Sequence, residues 1–105
     1  MFKSLLIALF CMLSTPILAV PESSDVSVVE VRPYLSGEIF VRVNSSTFCG
    51  TTVFMIPGTA VAKKEMYAAV LSALLTSKKI RLEALTSTGC NGWGTQLQSI
   101  YLQAN

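Results

Sequence analysis

The stretch from Thr86 to Thr95 concentrates side chains of the kinds that recognise sugars. It holds Trp93, the only tryptophan of the chain, between two glycines, and it adds hydroxyl and amide groups such as those of Thr88 and Asn91. An aromatic ring stacks on a sugar face, while hydroxyls and amides hydrogen-bond to the sugar hydroxyls. The stretch therefore indicates a carbohydrate-binding loop. The alternative is that Trp93 folds back to seal one end of the domain, with its N–H bonded to a carbonyl oxygen.

A second set of candidate residues combines aromatic and basic side chains. The segment from Glu38 to Asn44 alternates cleanly, so Phe40 and Arg42 share one face of a strand, and Tyr34 precedes them. Such an aromatic and basic patch is the pattern that stacks nucleobases. A balanced charge argues against nucleic acid as the partner. The alternative interpretation is a cross-strand packing cluster.

Catalysis has little support in this sequence. The chain contains no histidine, so a serine nucleophile lacks its usual base and a metal ion lacks its commonest ligand. The six carboxylates are scattered, with no spacing that pairs two of them in one cleft. We therefore expect no enzyme activity, no cofactor and no metal site.

The N-terminus predicts export from the cell. Lys3 precedes a short apolar run that is broken at Pro16, and Ala19 supplies a small residue at a plausible cleavage point. A membrane-spanning helix needs about 20 apolar residues, so a retained anchor is the less favoured alternative. We predict a signal peptide over 1–19, a secreted or periplasmic location and no stable membrane insertion after cleavage. Without Lys3, the eight basic residues become seven, against six acidic ones.

Two cysteines remain once the signal peptide has been removed, Cys49 and Cys90. In an oxidising compartment two cysteines in one small domain most often pair. Free thiols and a metal site are the alternatives, and the second needs ligands that the sequence does not offer. The sequence therefore predicts one disulfide.

The hydrophobic pattern predicts a flexible leader over 20–25 and a single domain over 26–105. Alternation indicates strands over 26–34, 38–44 and 51–56, and later over 80–85 and 96–103. Between them, 60–77 has helix-forming residues with Thr59 as N-cap, and one apolar stripe: Met66, Ala69, Val70, Ala73, Leu74 and Ser77. This β-β-β-α-β-β order, mainly β with one helix, predicts an OB-fold-like five-stranded barrel. An α+β open sheet with one packed helix is the alternative.

The stretch from Phe48-Cys49 through the helix MYAAVLSAL to Gly89-Cys90 resembles small exported bacterial OB-fold proteins. Its layout is similar to that of B subunits of AB5 toxins of the subtilase-cytotoxin and pertussis type. The shared features are a cysteine before strand three, an alanine-rich helix, a short basic strand and a second cysteine. The resemblance implies a glycan-binding protein that assembles as a pentamer, and it identifies no sugar-binding residue in this chain.

These observations predict an exported, non-enzymatic binding module whose partner is a cell-surface glycan, with a homo-oligomer as a possible assembly. The alternative is a periplasmic structural or protein-binding domain of the inhibitor kind. Nucleic acid is not expected as a partner. The candidate ligand-binding residues are Trp93, Asn91, Thr88, Tyr34 and Arg42.

Overall fold

The computed structural model describes residues 21–103, which form five strands and one helix in the predicted order. The predicted signal peptide over 1–19 lies outside the described residues, as do the last two residues of the predicted domain. The elements are β1 (Val26–Pro33), β2 (Ile39–Val43), β3 (Val53–Ile56), α1 (Lys63–Thr76), β4 (Lys79–Ala84) and β5 (Thr95–Leu102).

The five strands close into a barrel in the order β1-β2-β3-β5-β4. β1 is antiparallel to both β2 and β4, while β3 and β5 run parallel to each other. This closure confirms the OB-fold-like barrel, and the open-sheet alternative is wrong. Because the first and last strands of the order are hydrogen-bonded, the barrel has a single enclosed core.

Alternation along the strands determines which side chains fill the barrel. Ile39, Val41 and Val43 of β2 are buried as predicted. Ile80, Leu82 and Ala84 of β4 alternate in the same way and are buried as well. Phe54 and Leu97 complete the interior with almost no solvent exposure.

β1 departs from strict alternation at Val29. The register with β2 shifts between Val28 and Glu30, so Val29 is an extra residue and is 51% exposed. A bulge of this kind exchanges the two faces of a strand from that point onward. Val28 therefore points into the core, whereas Glu30 and Arg32 lie on the outer face.

The helix α1 is shorter than predicted. It begins at Lys63, and its N-cap is Ala62 without a side-chain hydrogen bond, so the prediction of Thr59 as N-cap is wrong. Backbone bonds from Ala60 N–H to the Pro57 carbonyl and from Lys63 N–H to the Ala60 carbonyl form turns there instead. No helix in the described part of the chain has the length and apolar character that crossing a bilayer requires.

The apolar stripe of α1 is also narrower than predicted. Only Met66, Val70 and Ala73 of the helix are buried, and Ser77 is an exposed left-handed C-cap. Leu74 of the predicted stripe is partly buried and packs at the margin of the core, and the helix lies mainly against β1 and β5.

Part of the predicted flexible leader is hydrogen-bonded to β4. Ser23 donates its N–H to the Leu82 carbonyl at 2.8 Å, and the Leu82 N–H donates to the Ser23 hydroxyl at 2.8 Å. The Ala84 N–H donates to the Pro21 carbonyl at 3.0 Å. Residues 21–23 are thus held along β4. Their backbone and the Ser23 hydroxyl pair with β4 groups beyond the short stretch that β1 covers. A polar, turn-forming composition does not reveal such backbone pairing.

Candidate functional site

Cys49 and Cys90 form the predicted disulfide, with their Cα atoms 5.1 Å apart. The bond joins the loop between β2 and β3 to the loop between β4 and β5, which carries Trp93. Phe48 stacks on the core ring of Phe54 at a centroid distance of 5.5 Å, so the β2–β3 loop is itself packed on the barrel. The disulfide therefore fastens the Trp93 loop to an ordered part of the fold.

Trp93 lies on the outer face of the barrel, against β2. Its ring centroid is 5.2 Å from that of Phe40, and the two planes are inclined by 34°. Next to it, the Gly94 N–H donates to the Val53 carbonyl at 2.9 Å, which fixes the end of the loop to β3. The Trp93 side chain is 70% exposed, so it does not seal an end of the barrel.

Phe40 also contacts the ring of Tyr34. Their ring centroids are 5.1 Å apart with an interplanar angle of 78°, an edge-to-face pair. The guanidinium carbon of Arg32 lies 5.5 Å from the Tyr34 ring centroid, within the range of a cation–π contact. Tyr34, Phe40 and Trp93 form a continuous aromatic row, which joins two candidate sites that the sequence had suggested separately.

A charged pair flanks the aromatic row. Glu30 and Arg42 are register partners on β1 and β2, just as Arg32 and Phe40 are. The Arg42 Nη2 atom lies 3.6 Å from the Glu30 Oε1 atom, and both side chains are about half exposed. At this distance the two groups attract each other without forming a hydrogen bond.

The aromatic row and the charged pair line one shallow cleft, which we call the platform. It encloses only about 30 Å³, so it offers a surface rather than a deep pocket. Its lining residues are Glu30, Arg32, Tyr34, Phe40, Arg42, Val53 and Trp93.

The structure brings together three of the five predicted ligand-binding residues, namely Tyr34, Arg42 and Trp93. Thr88 and Asn91 are exposed but do not line the platform. The Thr88 N–H donates to the Leu85 carbonyl at 3.2 Å and the Asn91 N–H donates to the Thr95 hydroxyl at 2.9 Å. These two residues shape the loop before it reaches Trp93, and a contact from them to a ligand stays a prediction.

Sequence reasoning missed Glu30 and Arg32. Strict alternation from Val26 and Val28 directs both charged side chains into the core, and only the bulge at Val29 turns them outward. Burying two unpaired charges costs free energy, and a charged residue at each of two core positions is therefore the sequence signal that predicts such a bulge.

A polar group on the opposite outer face, that of β4 and β5, also centres on a carboxylate. The Tyr101 hydroxyl donates to Glu83 Oε2 at 2.6 Å, and the Gln98 amide donates to Glu83 Oε1 at 2.7 Å. The bond from Gln98 and then that from Tyr101 lower the pKa of the Glu83 carboxyl, and the bond to Glu83 raises the pKa of Tyr101 to about 12. The Arg81 guanidinium carbon lies 5.0 Å from the Tyr101 ring centroid. We call these four residues the Glu83 network.

A wider groove of about 390 Å³ lies between the turns that precede α1 and the start of β5. Its lining is mostly apolar and contains no charged residue, with Met66 and Leu97 among the buried members. Within residues 21–103, no group of three or more His, Cys, Asp or Glu side chains is placed to hold a metal ion. Of these two concavities, the platform is the one that combines exposed rings with charged groups.

Comparison with known proteins adds no relative to this description. No protein-family model matches the chain, and a search of curated proteins found no similar sequence.

Proposed function

We propose that this protein is a non-enzymatic module that binds a glycan on the platform, with Trp93 as the main stacking surface. The observation that supports this most directly is the exposure of Trp93. The centroid of its ring lies 5.2 Å from that of Phe40, and yet the residue is 70% exposed to solvent. A ring that is supported on one side and open on the other is pre-organised for stacking, because little side-chain entropy is lost on binding.

The shape of the platform suits a sugar better than a buried small molecule. Sites for small molecules are concave and enclose roughly 300 Å³ or more, whereas the platform encloses about 30 Å³. A sugar ring needs an aromatic face and a few hydrogen-bonding groups beside it. The row of Tyr34, Phe40 and Trp93 supplies the first, and Glu30, Arg32 and Arg42 supply the second.

The lining of the platform also favours binding without hydrolysis. Glycoside hydrolysis generally requires two carboxyl groups on opposite sides of the scissile bond. Glu30 is the one carboxylate among the residues that line the platform. The same surface is therefore suited to holding a glycan without cleaving it.

Export of the protein belongs to this proposal. The Cys49–Cys90 bond is of a kind that persists in oxidising compartments, where cell-surface glycans are also found. The resemblance to toxin B subunits points in the same direction. A pentameric assembly stays a prediction.

A protein partner on the same surface is the second candidate function. Leu35 is the next residue in the chain after Tyr34 and is fully exposed, which suits an apolar contact with another protein. Trp, Tyr and Arg are also the residues most often found at the energetic centres of protein interfaces. Leu35→Ser separates the two functions, since it weakens a protein contact and leaves sugar stacking on Trp93 intact.

A glycan array tests the proposal with the oxidised protein and two variants. We expect Trp93→Ala to lower the affinity for the best glycan by roughly tenfold to a hundredfold, as loss of one stacking ring does. The control is Leu75→Ala, which truncates another exposed apolar side chain, on α1. Equal binding by the wild type and Trp93→Ala, or no binding to any glycan, contradicts the proposal.

Thermal melts of the same variants check that the loss concerns binding. Because Trp93 is 70% exposed, its truncation leaves the melting temperature within a few degrees of the wild type. A much lower melting temperature would assign Trp93 a structural role instead.

A further inference from the structure

We propose that Glu30 and Arg42 together recognise two adjacent hydroxyl groups of the stacked sugar. The ligand class is then a saccharide with a free vicinal diol on the ring that contacts Trp93. This inference rests on the proposed function and adds the chemical group that determines specificity.

The first step is the open hydrogen-bonding capacity of the pair. Arg42 Nη2 and Glu30 Oε1 are 3.6 Å apart, and 51% and 44% of the two side chains are exposed. A guanidinium has five N–H donors, and a carboxylate accepts at both oxygens. A half-exposed ion pair of this length contributes little to stability, so both groups can turn to a ligand without a large cost to the fold.

The second step is the position of the pair relative to the rings. Arg42 and Phe40 are two residues apart on β2 and face outward, which separates them by about 7 Å along the strand. Trp93 contacts Phe40 from the side of β3. Trp93, Arg42 and Glu30 line the same shallow cleft, so a sugar ring on Trp93 can place its hydroxyl-bearing edge over Arg42 and Glu30.

The third step is the match between donors and acceptors. Neighbouring sugar hydroxyls are each both donor and acceptor, so one hydroxyl donates to Glu30 while the next accepts from Arg42. Hydrogen bonds to charged groups are about twice as strong as those between neutral groups. Since the pair carries no net charge, the diol is recognised without a charged group on the sugar.

The fourth step is the penalty for a ligand that lacks one hydroxyl. A sugar that stacks on the platform covers Glu30 and Arg42 and removes water from them. A missing hydroxyl then leaves a covered charged group without its partner, and sites of this kind reject such analogues strongly. A hydroxyl that points away from the pair is not subject to this penalty.

The test uses the best glycan from the array together with its single deoxy analogues. We expect removal of either of two adjacent hydroxyls to lower the affinity at least tenfold, and removal of other hydroxyls to change it little. Glu30→Gln is expected to lower the affinity for the parent glycan by a similar factor. It is expected to have almost no further effect on the analogue that lacks the hydroxyl bound to Glu30.

Matched controls keep the result interpretable. Glu65→Gln changes an exposed carboxylate in the first turn of α1 and is expected to leave binding unchanged. The inference is overturned if all single deoxy analogues bind like the parent, or if Glu30→Gln binds like the wild type. If either result is found and Trp93→Ala still loses binding, the platform binds a glycan but does not recognise a vicinal diol through Glu30 and Arg42. If the wild type binds no glycan, both fail.

Discussion

The outer faces of the two halves of the barrel carry the same kinds of residue and differ in how those residues are used. On β4 and β5, both oxygens of Glu83 accept short hydrogen bonds, at 2.6 Å and 2.7 Å. On β1 and β2, the Glu30 carboxylate approaches Arg42 no closer than 3.6 Å. Each face also holds a tyrosine with an arginine over its ring, Arg81 on Tyr101 and Arg32 on Tyr34.

This difference shows that residue type alone does not identify a ligand-binding site. The Glu83 network satisfies its own polar groups, so binding a ligand there would first break bonds that stabilise the fold. The platform holds its rings and charges in place through strand register and aromatic packing, and the polar ends of Glu30 and Arg42 remain open. Changes on the platform should therefore affect binding, and changes in the Glu83 network should affect stability.

The largest effect is expected from removal of the disulfide, which supports the platform and not the Glu83 network. The bond closes a loop of 41 residues, so Cys49→Ala with Cys90→Ala should lower the free energy of unfolding by about 4 kcal/mol. Urea denaturation of the oxidised wild type and the double variant measures this. Where the variant is still folded, we expect weaker glycan binding because the disulfide no longer holds the Trp93 loop against the β2–β3 loop. A decrease of less than about 1 kcal/mol in the free energy of unfolding would contradict this prediction. It would mean that another change in the unfolded state offsets the entropy gained when the disulfide is removed.

A smaller effect is expected at the turn that supports Tyr34. A Cβ atom added to Gly58 lies 3.0 Å from the carbonyl carbon of Gly37, which is backbone and has little room to move. Gly58→Ala should therefore cost about 1–3 kcal/mol and displace the β1–β2 loop, so that binding on the platform weakens as well. Thr59→Ala is the neighbouring control, with an expected change within about 0.5 kcal/mol. Unchanged stability of Gly58→Ala would show that the two turns separate easily.

Glu83 links the network to acid stability. Its pKa is lowered from the ordinary value of 4.5 in the folded state, by the bonds from Gln98 and Tyr101. The resulting stabilisation is present above that value and is lost as the pH falls through the folded pKa. Glu83→Gln should thus be less stable than wild type at pH 7 and show a shallower loss of stability below about pH 4.5, without a change in glycan affinity. Urea midpoints between pH 7 and pH 3 test this, and parallel curves for the two proteins would contradict it.

The smallest effect is expected from Tyr101→Phe. The bond to Glu83 raises the pKa of Tyr101 from 10.0 to about 12, so its contribution is complete below pH 10 and is lost as the pH rises toward 12. We expect the variant to melt a few degrees lower at pH 7 and to lose less further stability between pH 10 and pH 12. Glycan binding should equal that of the wild type. A binding loss in this variant would remove the distinction between the two faces.

Much of the fold was predictable because it depends on local periodicity. The buried residues of β2 and β4, the order of the elements and the pairing of Cys49 with Cys90 followed from patterns within short segments or from the cysteine count. The start of α1 was predicted less well. Thr59 is a good N-cap by type, but the turns after Pro57 delay the helix to Lys63.

The candidate site was predictable only in part, because it is assembled from separate segments. All five candidates were chosen by residue type, and Thr88 and Asn91 were grouped with Trp93 because they share its loop. The structure places those two outside the platform. Glu30 faces the platform because a bulge at Val29 turns it outward, and strict alternation does not predict that bulge.

The sequence by itself determined the faces of β2 and β4, a helix-forming segment and the disulfide. The strand faces and the helix depend on residues that are close together in the chain, and each cysteine has one other cysteine with which to pair. Only the tertiary structure decided that the barrel closes, that Trp93 lies on Phe40 and that Glu83 is satisfied while Glu30 stays open. The physical reason is register. A shift of one residue at Val29 exchanges the faces of β1, and the pairing of β1 with β2 sets where that shift falls.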